Sequence, residues 1–430
     1  MYRKVTAFIL ALSLLVLAGC GSKPAEAPKP AENTPKQAEP AKEPEKVTIT
    51  FWHTYSADGS ENKTMNEVVI PAFQKKYPHI TVKAVIQPYD GLHDSLVTAA
   101  AGGTTPDVMR MDIIWTPEFA KLGALEMLET YPGFNELKAK VFPGPLATNI
   151  YKGKYYGLPL DTNTQVFVYN PEFLSAAGLS APPKTWDEFK KYLSAFKGQQ
   201  DKFGYAPGGT GPWAMLPLFW SLGGNVTNED YTKASGYLNS ADSVAALEEL
   251  NRLLQEGLFA TTLIGGQPGT WDGYKGGNYG ALLEGPWFFA ILGNELKGKM
   301  VGAPVPAGKG GSISVVGGEN IVMFKSAKHK EAAWQFIQFL LSDEAQVAMA
   351  RTGQMPVTHS ASANPVMKEA GYYDAYVEQL KTAKPRTPVP AWNKIDKILN
   401  DAFESVFRSK ATAKEALDKA AKEIDALLGQ

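Results

Sequence analysis

Alternating apolar and polar residues at positions 47–52 and 80–86 predict two β-strands. Between them, the helical spacing of apolar residues around 68–73 predicts a helix, although Pro71 lies within it. An alanine-rich helix across 92–100, ended by two glycines, and a short apolar strand at 108–111 follow. This order predicts an α/β fold, in which a mostly parallel sheet has helices on both faces and binds ligands at the carboxyl ends of its strands.

A second unit of the same kind begins at an apolar strand, residues 166–169. Thr185 and Glu188 have the spacing of a capping box, which predicts the start of a helix. Thr412 and Glu415 repeat that signature before a final amphipathic helix with its apolar residues on one face. The other predicted elements are helices at 241–255, 329–341 and 343–351 and strands at 281–284 and 313–324.

The N-terminus has the pattern of a secretory signal peptide, because Arg3 and Lys4 precede an apolar run at 5–17. That run is shorter than the roughly 20 residues a membrane-spanning helix needs. It ends in Leu-Ala-Gly-Cys at 17–20, which resembles the lipobox of bacterial lipoproteins, where the cysteine is acylated after cleavage. We expect residues 1–19 to be removed and Cys20 to anchor the protein on the extracytoplasmic face of the cell membrane. The alternative is an ordinary cleaved signal with a chance cysteine.

Residues 21–46 are mainly Pro, Ala, Glu and Lys and include no large apolar side chain. Such a segment cannot bury enough surface to offset its conformational entropy. Frequent prolines favour extended, polyproline-like conformations. We therefore expect residues 20–46 to form a lipidated cysteine and a disordered tether, with the folded protein beginning near Val47.

Charge and cysteine content exclude several classes of function. Acylation would use the only cysteine, so we expect neither a disulfide nor thiol catalysis. A formal net charge of −1 without a cluster of Lys and Arg argues against nucleic acid or anionic lipid as a ligand. The five histidines have no regular metal-ligand spacing. We expect no metal and no cofactor.

Tryptophan is frequent, with nine residues in the chain. Trp213, Trp287 and Trp392 lie beside or just after Gly and Pro, in predicted loops. A tryptophan is more often a core residue than a ligand contact. An indole in a loop, however, suits a flat apolar ligand surface.

A series of short motifs occurs in a fixed order along nearly all of residues 47–430. The motifs are Ile49-Thr50-Phe51-Trp52, Pro106-Asp107-Val108, Tyr156-Gly157-Leu158-Pro159, Tyr169-Asn170, Pro183-Lys184-Thr185-Trp186-Asp187-Glu188-Phe189, Glu284-Gly285-Pro286-Trp287, Gly317-Gly318, Ala333-Trp334-Gln335-Phe336-Ile337 and Gly353-Gln354-Met355-Pro356. In this order the chain resembles the extracellular solute-binding proteins of family 1, the maltose-binding protein group that serves ABC importers. Each motif alone is weak, whereas their order is specific.

The resemblance implies a two-lobed fold of the periplasmic-binding-protein type II, with the ligand in the cleft between the lobes. It assigns 47–160 plus 318–362 to the N-terminal lobe and 161–317 plus 363–430 to the C-terminal lobe. The chain would cross between lobes near 159–165 and 315–318. The implied function is capture of a carbohydrate, in particular an oligosaccharide, by hinge closure. The captured ligand would pass to the permease subunits of an ABC transporter, and we expect the binding protein to be a monomer.

A sugar presents apolar C–H faces and hydroxyl edges, so its site needs flat aromatic rings and fixed polar groups. The resemblance puts Trp287 and Trp392 at stacking positions and Trp213 at a third aromatic position. Trp115, after the third strand, is a further aromatic candidate. Core packing is the alternative role for each of them.

Polar candidates complete the predicted site. Asp112 follows the third strand and matches the segment with which the family binds hydroxyl groups, and its alternative role is helix capping. Asn163 stands where maltose-binding protein has an acid. Gly317 and Gly318 would let the backbone approach a ligand closely or would provide hinge flexibility. The remaining polar candidates are Tyr55, Asp58, Gln165, Glu284, Glu319 and Arg386.

Two other functions stay open on the residues alone. A secreted glycoside hydrolase would use the same aromatic residues and two carboxylates, for which Asp112, Asp161, Glu284 and Glu319 are candidates. A lipoprotein that binds peptides, polyamines or metal ions would need clusters of carboxylates or histidines, and the sequence shows no clear cluster. The family resemblance favours sugar capture without bond cleavage.

Overall fold

The computed structural model of the chain describes residues 44–369 and 371–429. The predicted signal segment, Cys20 and nearly all of the predicted tether therefore lie outside the described residues. The strands are β1 Val47–His53, β2 Ile80–Ile86, β3 Val108–Asp112, β4 Ile150–Tyr151, β5 Lys154–Tyr155, β6 Gly157–Thr164, β7 Val166–Tyr169, β8 Ala281–Glu284, β9 Val301–Ala303, β10 Val315–Met323, β11 Met355–Pro356 and β12 Lys384–Pro385.

The helices connect and cover these strands. They are α1 Ser60–Thr64, α2 Ile70–Lys76, α3 Leu92–Gly102, α4 Thr116–Lys121, α5 Phe134–Lys140, α6 Pro143–Ala147, α7 Pro171–Ala176, α8 Trp186–Ser194, α9 Pro212–Ser221, α10 Ala241–Gln255, α11 Thr270–Lys275, α12 Trp287–Leu292, α13 Lys330–Leu340, α14 Asp343–Ala350, α15 His359–Ser362, α16 Val366–Glu369, α17 Tyr373–Leu380, α18 Trp392–Phe407 and α19 Ala413–Leu428. A π-helix, Met65–Val69, joins α1 to α2, and 3₁₀ turns lie at Leu128–Thr130 and Thr261–Ile264. Within the described residues, no helix is both long and apolar enough to cross a membrane.

The first sheet has seven strands in the order β11-β6-β10-β3-β1-β2, with β12 pairing β10. Alternate residues of its strands point to opposite faces. Phe51, Val108 and Ile321 enter one apolar cluster, whereas Met109 and Val322 enter another. The sheet is thus buried on both faces, as the predicted α/β architecture requires.

The second sheet has the order β8-β7-β9 and is buried in the same way. Phe167 and Tyr169 on β7 pack into one cluster, and Val166 and Val168 pack into another on the opposite face. The larger of these clusters also holds the buried side chains of α18 and α19. Two sheets with separate cores confirm the predicted two-lobed α/β fold.

Both sheets contain antiparallel strand pairs, whereas the order of the elements predicts mostly parallel sheets. The strand β1 pairs in parallel with β2 and β3, whereas β10 pairs antiparallel with β3 and β6. In the second sheet β7 is antiparallel to both β8 and β9. The antiparallel β6–β10 pair has a topological cause, because the chain leaves the first sheet along β6 and returns to it along β10.

The crossing between the sheets is short. Only Gln165 separates β6, in the first sheet, from β7, in the second. The returning strand begins beside it, since Thr164 Oγ1 donates to the Val315 carbonyl at 2.7 Å and Ser314 Oγ donates to the Gln165 carbonyl at 2.8 Å. These strands lie where the crossings were predicted, while the residue limits of the lobes stay a prediction.

Local signals that needed no tertiary information are confirmed. Both capping boxes are present, with Thr185 and Thr412 each receiving the backbone N–H of the glutamate three residues later. The helix around Pro71 also forms, with a π-helical turn before it and the proline in the first turn of α2. Because α1, the π-helix and α2 are contiguous, Pro71 lies inside one helical run, and the π-helical turn, in which the Ile70 N–H bonds to the Met65 carbonyl, accommodates the proline.

Candidate functional site

Three carboxylates form a row across adjacent strands of the first sheet. Asp112, the last residue of β3, lies opposite Glu319 on β10, and Glu319 lies opposite Asp161 on β6. Neighbouring strands are about 4.8 Å apart and opposite residues share a face, so the three side chains are neighbours. This carboxylate row, Asp112, Glu319 and Asp161, lies at the carboxyl end of β3, where the sequence predicts a ligand site.

Arg110 neutralises part of the carboxylate row. Its Nε lies 3.2 Å from Asp161 Oδ2 and its Nη2 lies 2.6 Å from Glu319 Oε2. Its guanidinium carbon lies 4.6 Å from the ring centroid of Tyr55. The Arg110 side chain is only 7% exposed. Burial raises the pKa of Glu319 well above its usual range, and the charge of Arg110 opposes that shift. Arg110 therefore stabilises the charged form of Glu319, which burial alone would favour in the protonated form.

The charge of Arg110 also affects the pKa values of two more side chains, His53 and Glu61. Burial, with a smaller contribution from Arg110, lowers the pKa of His53 to about 4, so this imidazole is neutral near pH 7. Burial raises the pKa of Glu61, while Arg110 and a hydrogen bond from Gln354 Nε2 act in the opposite direction. Acidic side chains therefore outnumber basic ones around Arg110, because Asp161, Glu319 and Glu61 all interact with this one guanidinium.

Asp112 links the carboxylate row to Arg386, the residue that follows β12. Its Oδ1 lies 3.4 Å from Nη2 of Arg386, and its Oδ2 accepts a hydrogen bond from the Tyr89 hydroxyl at 2.8 Å. Asp112 Oδ1 also accepts the backbone N–H of Ile114 at 3.0 Å, so the predicted alternative of local capping applies as well. The guanidinium of Arg386 lies 5.1 Å from the ring centroid of Trp213.

Two glycines allow close approach at the crossing strands. Gly317 lies opposite Asn163, and a Cβ at Gly317 would come within 2.2 Å of Asn163 Oδ1 and 2.6 Å of the Trp213 ring. Gly318 has a φ of +125°, and a Cβ there would come within 2.4 Å of the Asp161 carbonyl oxygen. The close approach expected at these glycines therefore involves protein groups, and it brings Trp213 next to the strands that carry the carboxylate row.

An aromatic patch, Trp213, Trp271 and Trp287 with Glu284 between two of the indoles, packs around the second sheet. The rings of Trp213 and Trp287 are 6.3 Å apart between centroids, with 27° between their planes. Gln165 is oriented so that its carbonyl accepts Nε1–H of Trp213 and its amide donates to the Trp213 carbonyl, both at 2.8 Å. Gln165, which is 3% exposed, thus orients an aromatic ring.

Glu284 holds the other two indoles. Trp271 Nε1 donates to Glu284 Oε1 at 2.6 Å, and Trp287 Nε1 donates to Glu284 Oε2 at 3.3 Å. Burial raises the pKa of Glu284 to about 7, although the hydrogen bonds from the two indoles oppose that shift. All three indoles of the patch are half-buried, so part of each ring is accessible.

Four of the predicted site residues belong neither to the carboxylate row nor to the aromatic patch. Tyr55 and Trp115 are buried, the first beneath Arg110 and the second stacked on Tyr89 at 5.5 Å between centroids. Trp392 is 1% exposed and packs in the C-terminal core, so its ring presents no open face in this conformation, and its stacking role stays a prediction. Asp58 is exposed in the turn before α1, and no hydrogen bond or ion pair within the described residues joins it to the row.

Sequence reasoning missed two residues of the site. Trp271 lies between Gly269 and Gly273, so the glycine-neighbour criterion that selects Trp213 would also have selected it. Arg110 is a charged residue inside an otherwise apolar strand, and a buried charge of that kind signals a specific partner. Neither partner acid of Arg110 could be identified from its position in the sequence.

The arrangement can bind a neutral, hydroxylated ligand with apolar faces. The aromatic patch offers ring surface, and the carboxylate row offers acceptors for hydroxyl groups at the edge of the same crossing strands. Within the described ranges 44–369 and 371–429, no group of three or more His, Cys, Asp or Glu side chains is placed to hold a metal ion.

Comparison with known proteins gives a consistent result. Residues 56–347 match the family described as bacterial extracellular solute-binding protein. The galactooligosaccharide-binding protein of Bacillus subtilis is 23% identical over 431 residues, covering 98% of this chain and 96% of its own length.

Solved structures share the fold. The sugar-binding protein MalE from Xanthomonas citri is 26% identical with a TM-score of 0.76, covering 89% of this chain and 98% of that one. Maltose-bound MalE3 of T. maritima is 25% identical with a TM-score of 0.78, covering 89% of this chain and 100% of that one.

Proposed function

Because the chain belongs to the family of bacterial extracellular solute-binding proteins, we propose that it binds a carbohydrate in the cleft between its two lobes. The observation that carries this proposal is the position of the aromatic patch beside the carboxylate row. Trp213 lies against Gly317, two residues along β10 from Glu319. Arg386 joins the two groups, because its guanidinium lies 5.1 Å from the ring centroid of Trp213 and its Nη2 lies 3.4 Å from Asp112 Oδ1. Ring surface for C–H faces thus lies near acceptors for hydroxyl groups.

The relatives support a carbohydrate of more than one ring. The similar protein of B. subtilis is named for binding galactooligosaccharide, and the similar MalE3 structure holds maltose. Three half-buried indoles in the patch offer more ring surface than a single sugar would cover. An oligosaccharide is therefore the proposed ligand.

Affinity in the micromolar range is within reach of these groups. It requires about 8 kcal/mol of binding free energy. Burying apolar ring surface contributes about 25 cal/mol per Å², and each hydrogen bond contributes about 1 kcal/mol net. A few stacked rings and several hydrogen bonds reach that sum after the cost of ordering ligand and side chains.

The wider role follows from the family and the N-terminal sequence. We propose that closure of the lobes captures the sugar, that the permease of an ABC importer receives it, and that the binding protein acts as a monomer. Acylation at Cys20 would keep it at the membrane, and the segment at 21–46 would let it reach the permease. In this role the protein breaks no bond in its ligand.

Isothermal titration of the full chain tests the ligand class. The panel comprises maltose-, mannose-, xylose-, arabinose- and galactose-based oligomers, with oligopeptides and polyamines as the alternative ligands. We expect at least one carbohydrate to bind with micromolar affinity. Binding of a peptide or polyamine alone would overturn the carbohydrate assignment.

The hydrolase alternative is tested on the same samples. Glu319 and Asp161 both contact Arg110, so each is already engaged by a fixed cation. We expect the oligosaccharide to be recovered intact after long incubation with the protein. New reducing ends that grow with protein concentration would instead indicate glycoside hydrolysis.

A further inference from the structure

The two oxygens of the Glu284 carboxylate each hold a different indole. Trp271 Nε1 donates to Oε1 at 2.6 Å, and Trp287 Nε1 donates to Oε2 at 3.3 Å. A carboxylate offers about four acceptor positions, and here each oxygen has one of them engaged by an indole N–H. The Glu284 side chain is thus held between two aromatic rings.

The backbone of Glu284 is fixed on a rigid element. It is the last residue of β8, paired with Val166 on β7, and its carbonyl oxygen accepts the Tyr376 hydroxyl at 3.1 Å. A carboxylate on such a strand end can hold its partners in one orientation, because the strand cannot move without breaking the sheet.

Each indole is also held on a second side. The Trp271 ring packs edge-on against Phe288, with 5.1 Å between centroids and 84° between planes. The Trp287 ring folds back over Gly285, where a Cβ would come within 2.2 Å of ring carbons. Gly285 therefore lets the indole reach back to the carboxylate that precedes it by three residues.

The charge of Glu284 is unusual in its setting. Within the described residues no Lys, Arg or His forms an ion pair with it, although burial acts strongly against its charged form. The hydrogen bonds that the Glu284 carboxylate accepts from other side chains come from the two indole N–H groups. A carboxylate kept at such a position without a cation indicates a role that stability alone does not explain.

We propose that Glu284 is a positioning residue that sets the orientation of Trp271 and Trp287, and that Trp271 is a further carbohydrate-binding residue. With their N–H groups bound to one carboxylate, both indoles are left with ring faces as their contact surface for sugar C–H groups. The inference rests on the proposed carbohydrate function. Its first part concerns the ligand-free protein and can be tested even if no sugar binds.

The first experiment observes the indole N–H resonances of the ligand-free full chain by NMR. Trp271→Phe and Trp287→Phe assign the two resonances, because phenylalanine lacks the N–H. Glu284→Gln removes one of the two acceptor oxygens, so at least one resonance should shift toward weaker hydrogen bonding. In the wild type both should titrate together with a midpoint near the pKa of about 7 of Glu284. Glu295→Gln, a matched substitution at an exposed site in the same lobe, should leave both resonances in place and keep their wild-type titration.

The second experiment measures affinity for the carbohydrate found by titration. Glu284→Gln should weaken binding about tenfold, the cost of one misplaced stacking ring. Trp271→Ala should weaken it about tenfold or more, and Trp271→Phe should weaken it less, since a ring remains. If Glu284→Gln proves poorly folded, the Trp271 pair still decides whether this residue binds the ligand.

Several outcomes would overturn the proposal. Indole resonances unchanged in Glu284→Gln would show that the carboxylate does not position the rings. Wild-type affinity in Trp271→Ala, with affinity lost in Trp287→Ala, would remove Trp271 from the site. Absence of carbohydrate binding by the wild type would refute the proposed function and the ligand-binding role of Trp271, while the resonances would still report on positioning.

Discussion

Asp161 and Glu319 lie directly opposite each other on the antiparallel strands β6 and β10, and both carboxylates contact one guanidinium, that of Arg110. Two acids at this distance repel each other unless a cation lies between them. Arg110 is 7% exposed, so its removal would leave two acids without their shared counter-charge at a site that water hardly reaches. The strands that cross between the lobes thus depend on one ionic cluster.

Arg110→Met should lower the free energy of unfolding by about 3–5 kcal/mol near neutral pH, the usual cost of breaking a buried ion pair. The deficit should shrink as pH falls, because Glu319, whose pKa is raised by burial, then binds a proton and loses its charge. Urea denaturation measures both effects. Arg351→Met is the control, since its ion pair with Glu369 joins side chains that are 60% and 64% exposed. An equal loss in both variants would contradict this role of Arg110.

Trp287 and Trp392 should respond differently to replacement by alanine. Trp287→Ala removes a half-buried ring of the aromatic patch, so carbohydrate affinity should fall about tenfold or more while the protein stays folded. Trp392→Ala removes a ring that is 1% exposed, so the free energy of unfolding should fall by about 3–5 kcal/mol. Calorimetry and chemical denaturation separate the two effects. Weak binding by a fully stable Trp392→Ala would instead support the stacking role that the family resemblance implies.

Gly317→Ala should weaken carbohydrate binding. The added Cβ would come within 2.2 Å of Asn163 Oδ1 and 2.6 Å of the Trp213 ring, so the indole must shift away from the crossing strands. Gly208→Ala is the matched control, because a Cβ at that position would meet no atom within 4 Å. Titration of both variants with the same sugar is the measurement. Unchanged affinity in Gly317→Ala would show that the position of Trp213 does not matter for binding.

Glu284 should make stability depend on pH in a defined direction. Its pKa is raised from 4.5 to about 7, so between these values the folded protein retains a proton that the unfolded chain has released. The contribution of Glu284 to stability therefore falls as pH rises through this window and stays low above it. Glu284→Gln should match the wild type below about pH 4.5 and be more stable near pH 8, by on the order of 1–3 kcal/mol.

Thermal melts at several pH values test this sign, with Glu295→Gln as the exposed control. A variant that is less stable than the wild type at high pH would mean that the ionised carboxylate stabilises the fold. The expected result would mean that ionised Glu284 lowers the stability of the fold while it orients two indoles. Such a trade-off between stability and function is common at binding sites.

Cys20→Ser tests the membrane anchor separately from binding. A single acyl chain holds a protein only marginally, since each buried CH₂ contributes about 0.8 kcal/mol, so stable retention implies more than one chain on Cys20. The variant, expressed in a bacterium, should appear in the soluble or released fraction and bind sugar with wild-type affinity. Retention of the variant at the membrane would show that another element anchors the protein.

Local signals made much of the fold predictable. The strands at Val47–His53 and Ile80–Ile86 follow from alternation of apolar residues, and α10 follows from a helical repeat of them. The two capping boxes follow from side chains three residues apart. Each of these features depends on residues that are close in sequence, so no knowledge of the tertiary structure is needed to predict it.

The candidate site depends on contacts between distant parts of the chain. The sequence by itself determined that Asp112 would end a buried strand and that tryptophans would lie beside glycine and proline. Only the tertiary structure placed Glu319 between Asp112 and Asp161, because strand pairing across the crossing joins residues more than 150 positions apart. It also decided that Trp392 packs in the core while Trp271 joins Glu284, since burial depends on what surrounds a ring and not on its neighbours in sequence. The prediction of an anchor at Cys20 thus rests on local sequence alone, whereas the aromatic patch is created by folding.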